Sequence, residues 1–525
     1  MDSARTKREA KDGLDTSDVA PRIGSTKLTA AISRSALTLA VLSTLLLVAA
    51  RPAQAQSETV LYNFAVSPDG ATPEGGLTSY GGNFYGATNA GGSFGYGTVF
   101  ELSPNGSGGW NETVLYSFCS QPSCGDGANP TYSYVTFDGL GNLYGSTWGG
   151  GANGLGVVYE LSRIGASWTE NVLYNFNGGA GDGSDPGAGV IMDQAGNFYG
   201  TTYYGGSGNN GTVFELSPVP GGGWSEQVID FVCVNYAGIS MDSHGNIYGA
   251  GCNNLFELSP NGSGGWTQTV IHTFAGGTKD GSAPESTPIV DSAGNVYGTT
   301  TSGGAKGNGT VYKFSPVTTG KKKGTWTEKL LYSFAGGTKD GSDPFAGIVF
   351  DTAGNIYGTT ESGGKDNDGT VYELVAPVGT GSYKEKILYV FTPTDGADPS
   401  DTLILDSGSL YGTTMQGGSN GWGVVFEVNP GAKATATALT SAPNPSTSGE
   451  QVTFTAVVTP APPDGELVSF MDGATLLGTG PLTSGSATFA TSALPVGMSQ
   501  ITAVYGGDSD FGGSTSKALK QTVKK

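Results

Sequence analysis

The sequence predicts an all-β protein: a seven-bladed β-propeller of four-stranded blades, closed by its own N-terminal strand, followed by an Ig-like β-sandwich. Three observations predict it. Of 525 residues, 89 are Gly, set at fixed points between β-branched and aromatic runs and without a Gly-X-Y period. That is the composition of short strands joined by tight turns. Past the N-terminus no segment sustains a 3.6-residue apolar period. Finally, one unit recurs. Its clearest copy is GIVFDTAGNIYGTTESGGKDNDGTVYEL at 347–374, three short strands, with a fourth at 385–391. The second-strand tyrosine recurs as Tyr85, Tyr144, Tyr199, Tyr248, Tyr297, Tyr357 and Tyr411, at spacings of 59, 55, 49, 49, 60 and 54 residues. A period near 50 with four strands is that of a propeller blade, and is too long for a β-helix coil.

In chain order, residues 1–55 come first. Arg5, Lys7, Arg8, Lys11, Arg22, Lys27 and Arg34 precede the apolar run 36–50, and Ala53-Gln54-Ala55 follows. Basic region, apolar run and small-residue site predict a signal peptide cleaved after Ala55. The apolar run is short of the ~20 residues a membrane helix needs, so no membrane span is expected in the mature chain. Cleavage removes eight Lys/Arg and five Asp/Glu, leaving 25 − 8 = 17 basic and 45 − 5 = 40 acidic residues, a net charge of −23. An acidic exported chain repels phosphate backbones and anionic lipid heads, which excludes nucleic acid and membrane surfaces as expected partners.

Residues 56–432 hold the repeats. Strand a precedes an Asp-x-x-Gly-Asn turn, strand b carries Tyr-Gly-Thr-Thr, strand c is of the Thr-Val-Phe-Glu-Leu type and strand d of the Val-Leu-Tyr-x-Phe type. The first copy after the signal is a d strand, 58–64, and the last is a c strand, 424–428. The N-terminal strand is therefore expected to complete the seventh blade and remove two sheet edges. Residues 433–525 change character. Alternating strands are predicted over 451–459, 466–471, 486–491, 499–505 and 518–523, the spacing of a small antiparallel sandwich.

The units GNLYGSTWGGG…GVVYEL and GNIYGTTESGG…GTVYEL resemble the GloVer tandem repeat of exported bacterial "choice-of-anchor" proteins, over roughly residues 58–430. ITAVYGGDSDFGGSTS resembles bacterial Ig-like domains found as surface spacers. The repeat resemblance implies secretion, a propeller-like fold and no established activity. The fourth unit departs from the pattern: its loop is cut to GAGCNNLFEL and its Asp-Gly loop is missing.

A residue present in most repeats is best explained by the repeat, whereas a site must break the symmetry. The a–b turn Asp (Asp138, Asp193, Asp242, Asp291, Asp351, Asp406) and the strand-c Glu (Glu101, Glu160, Glu215, Glu257, Glu373, Glu427) are repeated. They are expected to cap turns and pack rather than to hydrolyse glycosides. The d–a loops carry Asp69, Asp126, Asp182, Asp280, Asp340 and Asp395 before a Pro. A Pro-fixed turn is expected there, with hard-cation binding, Ca2+ included, as the alternative; no cofactor is otherwise expected. Trp110, Trp168, Trp224, Trp266 and Trp326 recur before strand d as packing residues, and His244 and His272 are expected to be structural. Four cysteines in an exported chain allow disulfides, Cys119–Cys124 and Cys233–Cys252. The b–c loops break the symmetry with Phe94, Tyr96, Trp148, Tyr203, Tyr204 and Trp422. These lie in consecutive blades seven, one, two and three, and are expected to form an aromatic sector for an extracellular polysaccharide. The expected function is therefore non-enzymatic binding or adhesion, secreted or at the cell surface. A propeller-fold polysaccharide hydrolase or lyase is the alternative, and a structural display protein a third. An unrepeated carboxylate pair at the channel mouth would favour the hydrolase.

Overall fold

The computed structural model describes residues 57–525 except 107, 108, 166, 232, 234, 235, 378, 380, 432–434, 474 and 508–510. The predicted signal peptide lies outside the described residues. Those described form an all-β structure. Their only helical segments are two short 3-10 turns, Pro122–Cys124 and Gly320–Lys322. None is long and apolar enough to cross a membrane.

Seven four-stranded antiparallel sheets occupy the repeat region. The third is representative, with Ile191–Met192, Phe198–Thr202, Thr212–Pro218 and Trp224–Asp230 as strands a to d. Tyr199 stands opposite Glu215 and Phe198 opposite Leu216. The seventh sheet takes Ile404–Asp406, Ser409–Thr414 and Val424–Asn429 from its own repeat and Ser57–Asn63 from the N-terminus as its fourth strand. Glu58 pairs with Val428, Thr59 with Glu427 and Val60 with Phe426.

The side chains that build one sheet also join it to the next. The strand-c aromatic (Phe100, Tyr159, Phe214, Phe256, Tyr312, Tyr372, Phe426) is buried in every copy. It lies over the Gly of Tyr-Gly-Thr-Thr. A Cβ on Gly200 would stand 2.5 Å from the Phe214 ring, so strand b can only carry Gly there. Around it, each hydrophobic cluster spans two consecutive sheets, as where Tyr144 and Val158 meet Phe198 and Phe214. The same kind of cluster brings Val425 of the seventh sheet against Phe84, Phe100 and Leu102 of the first. Hydrogen bonds repeat the pattern. Thr201 Oγ1 donates to the Ala237 carbonyl, Thr299 to Ala346, Thr359 to Pro399, and Thr413 of the seventh sheet to Gly75 of the first.

The repeated acids act as turn and sheet ties. Asp193 accepts the N–H of Ala195 and Asn197, the Asn197 amide and the Tyr199 hydroxyl. Asp138, Asp242, Asp291 and Asp351 do the same in their sheets. Those hydrogen bonds, working against burial, hold Asp138, Asp193, Asp242 and Asp291 below the usual carboxylate pKa. The strand-c Glu also accepts from the repeated tyrosine, as Glu101 does from Tyr85 at 2.8 Å. In the fifth sheet, where Lys313 replaces that Glu, its ammonium lies 5.1 Å from the centre of the Tyr297 ring.

A second set of ties links the d strands. Tyr62, Tyr116, Tyr174, Tyr332 and Tyr389 donate to Asp69, Asp126, Asp182, Asp340 and Asp395 of the following loop. A Glu from the next sheet's d strand faces each pair: Glu112, Glu170, Glu226, Glu385 and, from the N-terminal strand, Glu58. The loop aspartates are thus occupied by hydroxyl and backbone N–H donors.

After Asn429, two further sheets share a separate core. One holds Ala436–Ala442, Val452–Thr459 and Ser486–Thr491; the other is built around Leu467–Asp472, Thr475–Pro481, Gly497–Tyr505 and Leu519–Lys524. Phe454, Val468, Phe470, Ile501 and Tyr505 fill the space between them. Both expected disulfides are formed, Cys119–Cys124 and Cys233–Cys252.

Candidate functional site

Strand b ends and strand c begins on the side of each sheet where strand d ends and the next strand a begins. The b–c and d–a loops therefore share a face, and they are tied together there. Gly183–Ser184 pairs with Tyr204–Gly205, and Gly341–Ser342 with Ser362–Gly363. Gly205 has φ +85°, and a Cβ would strike the Asp182 carbonyl, which fixes a Gly in this loop.

The segment leading from each d–a loop into strand a carries the most variable residues of the repeat. Tyr134 lies there, and so do Tyr132, Tyr236 and Phe345, from the second, fourth and sixth repeats. The rings of the last three meet, Tyr132–Tyr236 at 4.7 Å, Tyr132–Phe345 at 5.4 Å and Tyr236–Phe345 at 6.2 Å between centroids. Rings from the second, fourth and sixth repeats meet here, so these loop segments converge on one mouth. Below it Tyr134, Thr287, Asp401 and Thr402 line a cavity of about 30 Å³, space for roughly one water. The glycines opposite make room for them. A Cβ on Gly238 would meet Thr287, one on Gly347 would meet Thr402, and one on Gly76 would meet the Asp401 carboxylate. Side chains thus fill the space beneath the rings apart from that cavity.

Of the b–c loop aromatics, Trp148 and Tyr203 join this cluster. Trp148 lies 5.4 Å from Tyr203 and 6.2 Å from Tyr236, and Tyr203 lies 5.1 Å from Tyr236. Tyr204 stands edge-on to Tyr203 at 4.7 Å with its own ring 43% exposed. Phe94, Tyr96 and Trp422 are not brought into it. They are 51%, 44% and 42% exposed and make no ring contact among the described residues. Phe94 instead flanks an outer groove with Tyr62, Pro68 and Glu112. The single sector expected from seven, one, two and three is thus replaced by a cluster spanning the second, third, fourth and sixth repeats.

The mouth also carries carboxyl groups: Glu74, Glu285 and Asp401 from d–a loops, which the sequence reading did not single out, and Glu361 from a b–c loop. Glu285 and Asp401 line the axial cavity with Tyr132, Tyr236 and Phe345. Glu361 is pushed up to about 7, first by burial and then by Asp343, Asp398 and Glu285 around it. Burial likewise raises Asp401 to about 7 against hydrogen bonds from Thr402 and Gly76, and Glu74 to about 7 against the Asn89 amide. Glu361 and Asp401 have no counterpart in the other repeats, whereas Glu74 and Glu285 share one position, the residue after the d–a loop Pro, in the first and fifth repeats. The mouth is therefore two-sided, with an aromatic floor beside carboxyl groups able to hold or give up a proton near neutrality.

The profile of a family described as "Gloeobacter/Verrucomicrobia repeat" matches residues 113–255 and 321–491. No curated protein matches the chain. Among solved structures, virginiamycin B lyase from Staphylococcus aureus is similar with TM-score 0.43 and 11% identity, over 71% of this chain and 99% of that one. The extracellular domain of BT4673 from B. thetaiotaomicron has TM-score 0.43 and 11% identity, over 90% of this chain and 58% of that one. The polysaccharide lyase Uly1 has TM-score 0.38 and 11% identity, over 70% and 91%. Likeness at this level is one of β-architecture and carries nothing about activity.

Proposed function

The chain belongs to the Gloeobacter/Verrucomicrobia repeat family, and on that premise we propose that its seven sheets are the blades of one closed propeller bearing a C-terminal Ig-like domain, and that the exported protein binds an extracellular polysaccharide at the propeller's axial mouth. The observation that carries this reading is the contact of Tyr132, Tyr203, Tyr236, Phe345 and Trp148 beside the carboxyl groups of Glu74, Glu285, Glu361 and Asp401. Pyranose rings present C–H faces that stack on aromatic rings, and carboxyls bind the hydroxyls at the ring edge. The net charge of −20 and the acids at the mouth disfavour an anionic glycan, so the ligand class is neutral polysaccharide. Two disulfides fit an oxidising, extracellular setting.

The test is binding of the purified mature chain to soluble neutral polysaccharides (mixed-linkage β-glucan, xyloglucan, starch) and to alginate as an acidic control. A neutral glycan should bind and alginate should not. Trp148→Ala and Tyr236→Ala should each weaken binding about fivefold, since a stacked ring contributes on the order of 1 kcal/mol. Trp266→Ala, which removes a packing residue under Tyr199, should lower the melting temperature and leave the affinity of the folded fraction intact. If no neutral glycan binds, the mouth is packing and the display reading replaces this one.

One observation favours a second reading. Glu74, Glu361 and Asp401 sit near pH 7 at the mouth, where a general acid and base work best. A glycoside hydrolase or lyase would release reducing ends from the bound glycan and lose that activity in Glu361→Gln, whereas a pure binding protein releases none.

A further inference from the structure

The ties between d strands break their own pattern at two interfaces: between the third and fourth sheets Asp230 stands in the tyrosine's place and the loop aspartate is missing, and between the fourth and fifth sheets the tie is kept in altered form. At the other five a tyrosine hydroxyl donates to the loop aspartate, while a Glu from the next sheet stands opposite. Between the fourth and fifth sheets the tyrosine is replaced by His272, whose Nε2 lies 3.2 and 3.3 Å from the two oxygens of Asp280. Glu328 of the following d strand completes the group, and one ligand atom from each of the three residues lies within 4.8 Å of the others. A phenol that must keep its proton to hydrogen-bond a carboxylate has little to offer a cation. A neutral imidazole offers an Nε2 lone pair.

We propose that His272, Asp280 and Glu328 form a site for a first-row divalent cation of the Zn2+ type. One nitrogen and two carboxylate oxygens are a ligand set such ions accept, with water completing the coordination. With ligand bonds near 2.1 Å, tetrahedral ligand atoms stand about 3.4 Å apart, so the cluster needs only a small contraction. The side chains are held for it. The Ala275 N–H donates to Asp280 Oδ2 at 2.7 Å. The His272 ring is fixed between Phe274 at 4.8 Å and Phe314 at 4.9 Å. Glu328 Oε1 is buried without a hydrogen-bond partner. His272 and Asp280 keep 25% and 15% of their side-chain surface exposed, which leaves the ion a path and a water its place. The site lies on the d-strand side of the loops and is independent of the glycan reading.

The repeat supplies its own control. His272→Tyr restores the residue found at five equivalent positions, so it should fold and melt like the parent in EDTA. Zn2+ is titrated calorimetrically into the EDTA-stripped mature chain, and Co2+ ligation is followed by visible absorption. The parent should bind one ion per chain and gain melting temperature, and His272→Tyr should weaken that binding at least ~100-fold. Asp280→Asn should weaken it too, and serves as the second variant if the tyrosine ring does not seat. A parent that binds no Zn2+, or a His272→Tyr variant that binds it as the parent does, would overturn the proposal.

Discussion

Single side chains in this repeat do two jobs. Tyr199 ties the Asp193 turn and also packs against Trp266; the strand-c aromatic fills its own sheet and the one before it. Gly200→Ala should therefore cost about 1–3 kcal/mol by overpacking against Phe214, measured by urea unfolding. Tyr372→Phe tests the converse. Its hydroxyl is buried without a partner, and four other sheets carry Phe there, so the change should not lower stability and is expected to raise it by ~1 kcal/mol. Roles fixed by repetition were legible in the sequence, because seven copies average out accident: the turn aspartates, the strand-c Glu and the packing Trp all follow from their recurrence. The mouth was only half legible. Trp148, Tyr203 and Tyr204 stand out in loops that visibly vary. Tyr132, Tyr236 and Phe345 are far apart in sequence, and only the convergence of alternate sheets brings them into contact.

At the scale of the element, the N-terminal strand pairs with Val424–Asn429 as its register and chain order anticipated. It also delivers Glu58 to Tyr389 and Asp395 of the sixth repeat, a contact that strand counting could not foresee. Deleting residues 56–64 should expose the Val424–Asn429 edge, lower the melting temperature sharply and promote aggregation, read by thermal melts with light scattering. An unchanged melt would mean the strand is dispensable. The fourth repeat lacks the Asp-Gly loop, and the Cys233–Cys252 bridge spans the shortened region. Cys252→Ser should cost roughly 2–4 kcal/mol, measured on the non-reduced protein. The two-residue ladders between loops and the strands at Ala436–Ala442 and Thr475–Pro481 escaped the sequence reading. They are too short, or too polar and Gly-rich, to show a period of two.

For the whole molecule, the carboxyls between sheets set a pH dependence. Burial, reinforced by a facing aspartate, pushes Glu58, Glu112 and Glu226 up to about 7 and Glu170 and Glu385 to about 8, from 4.5. At the last interface Glu385 Oε1 and Asp340 Oδ1 are both buried acceptors with no donor, which one proton on Glu385 resolves. The folded state thus holds protons that the unfolded chain has released. Their stabilisation is complete below about pH 4.5 and is lost as pH rises through 7 to 8. The turn aspartates, lowered from 3.8, act oppositely and lose their contribution only in stronger acid. The melting temperature should peak near pH 5 and fall toward pH 8.5, with a shallower fall in Glu385→Gln; a flat or rising profile would contradict the shared protons. The central claim, that the mouth is the binding face, is tested most directly by hydrogen–deuterium exchange of the mature chain with and without the neutral polysaccharide it binds. Protection is predicted in 130–136, 147–150, 202–206, 236–239 and 343–347, the segments that build the aromatic floor. Protection confined to the c–d loops of the opposite face, or to the outer groove beside Phe94, would contradict it.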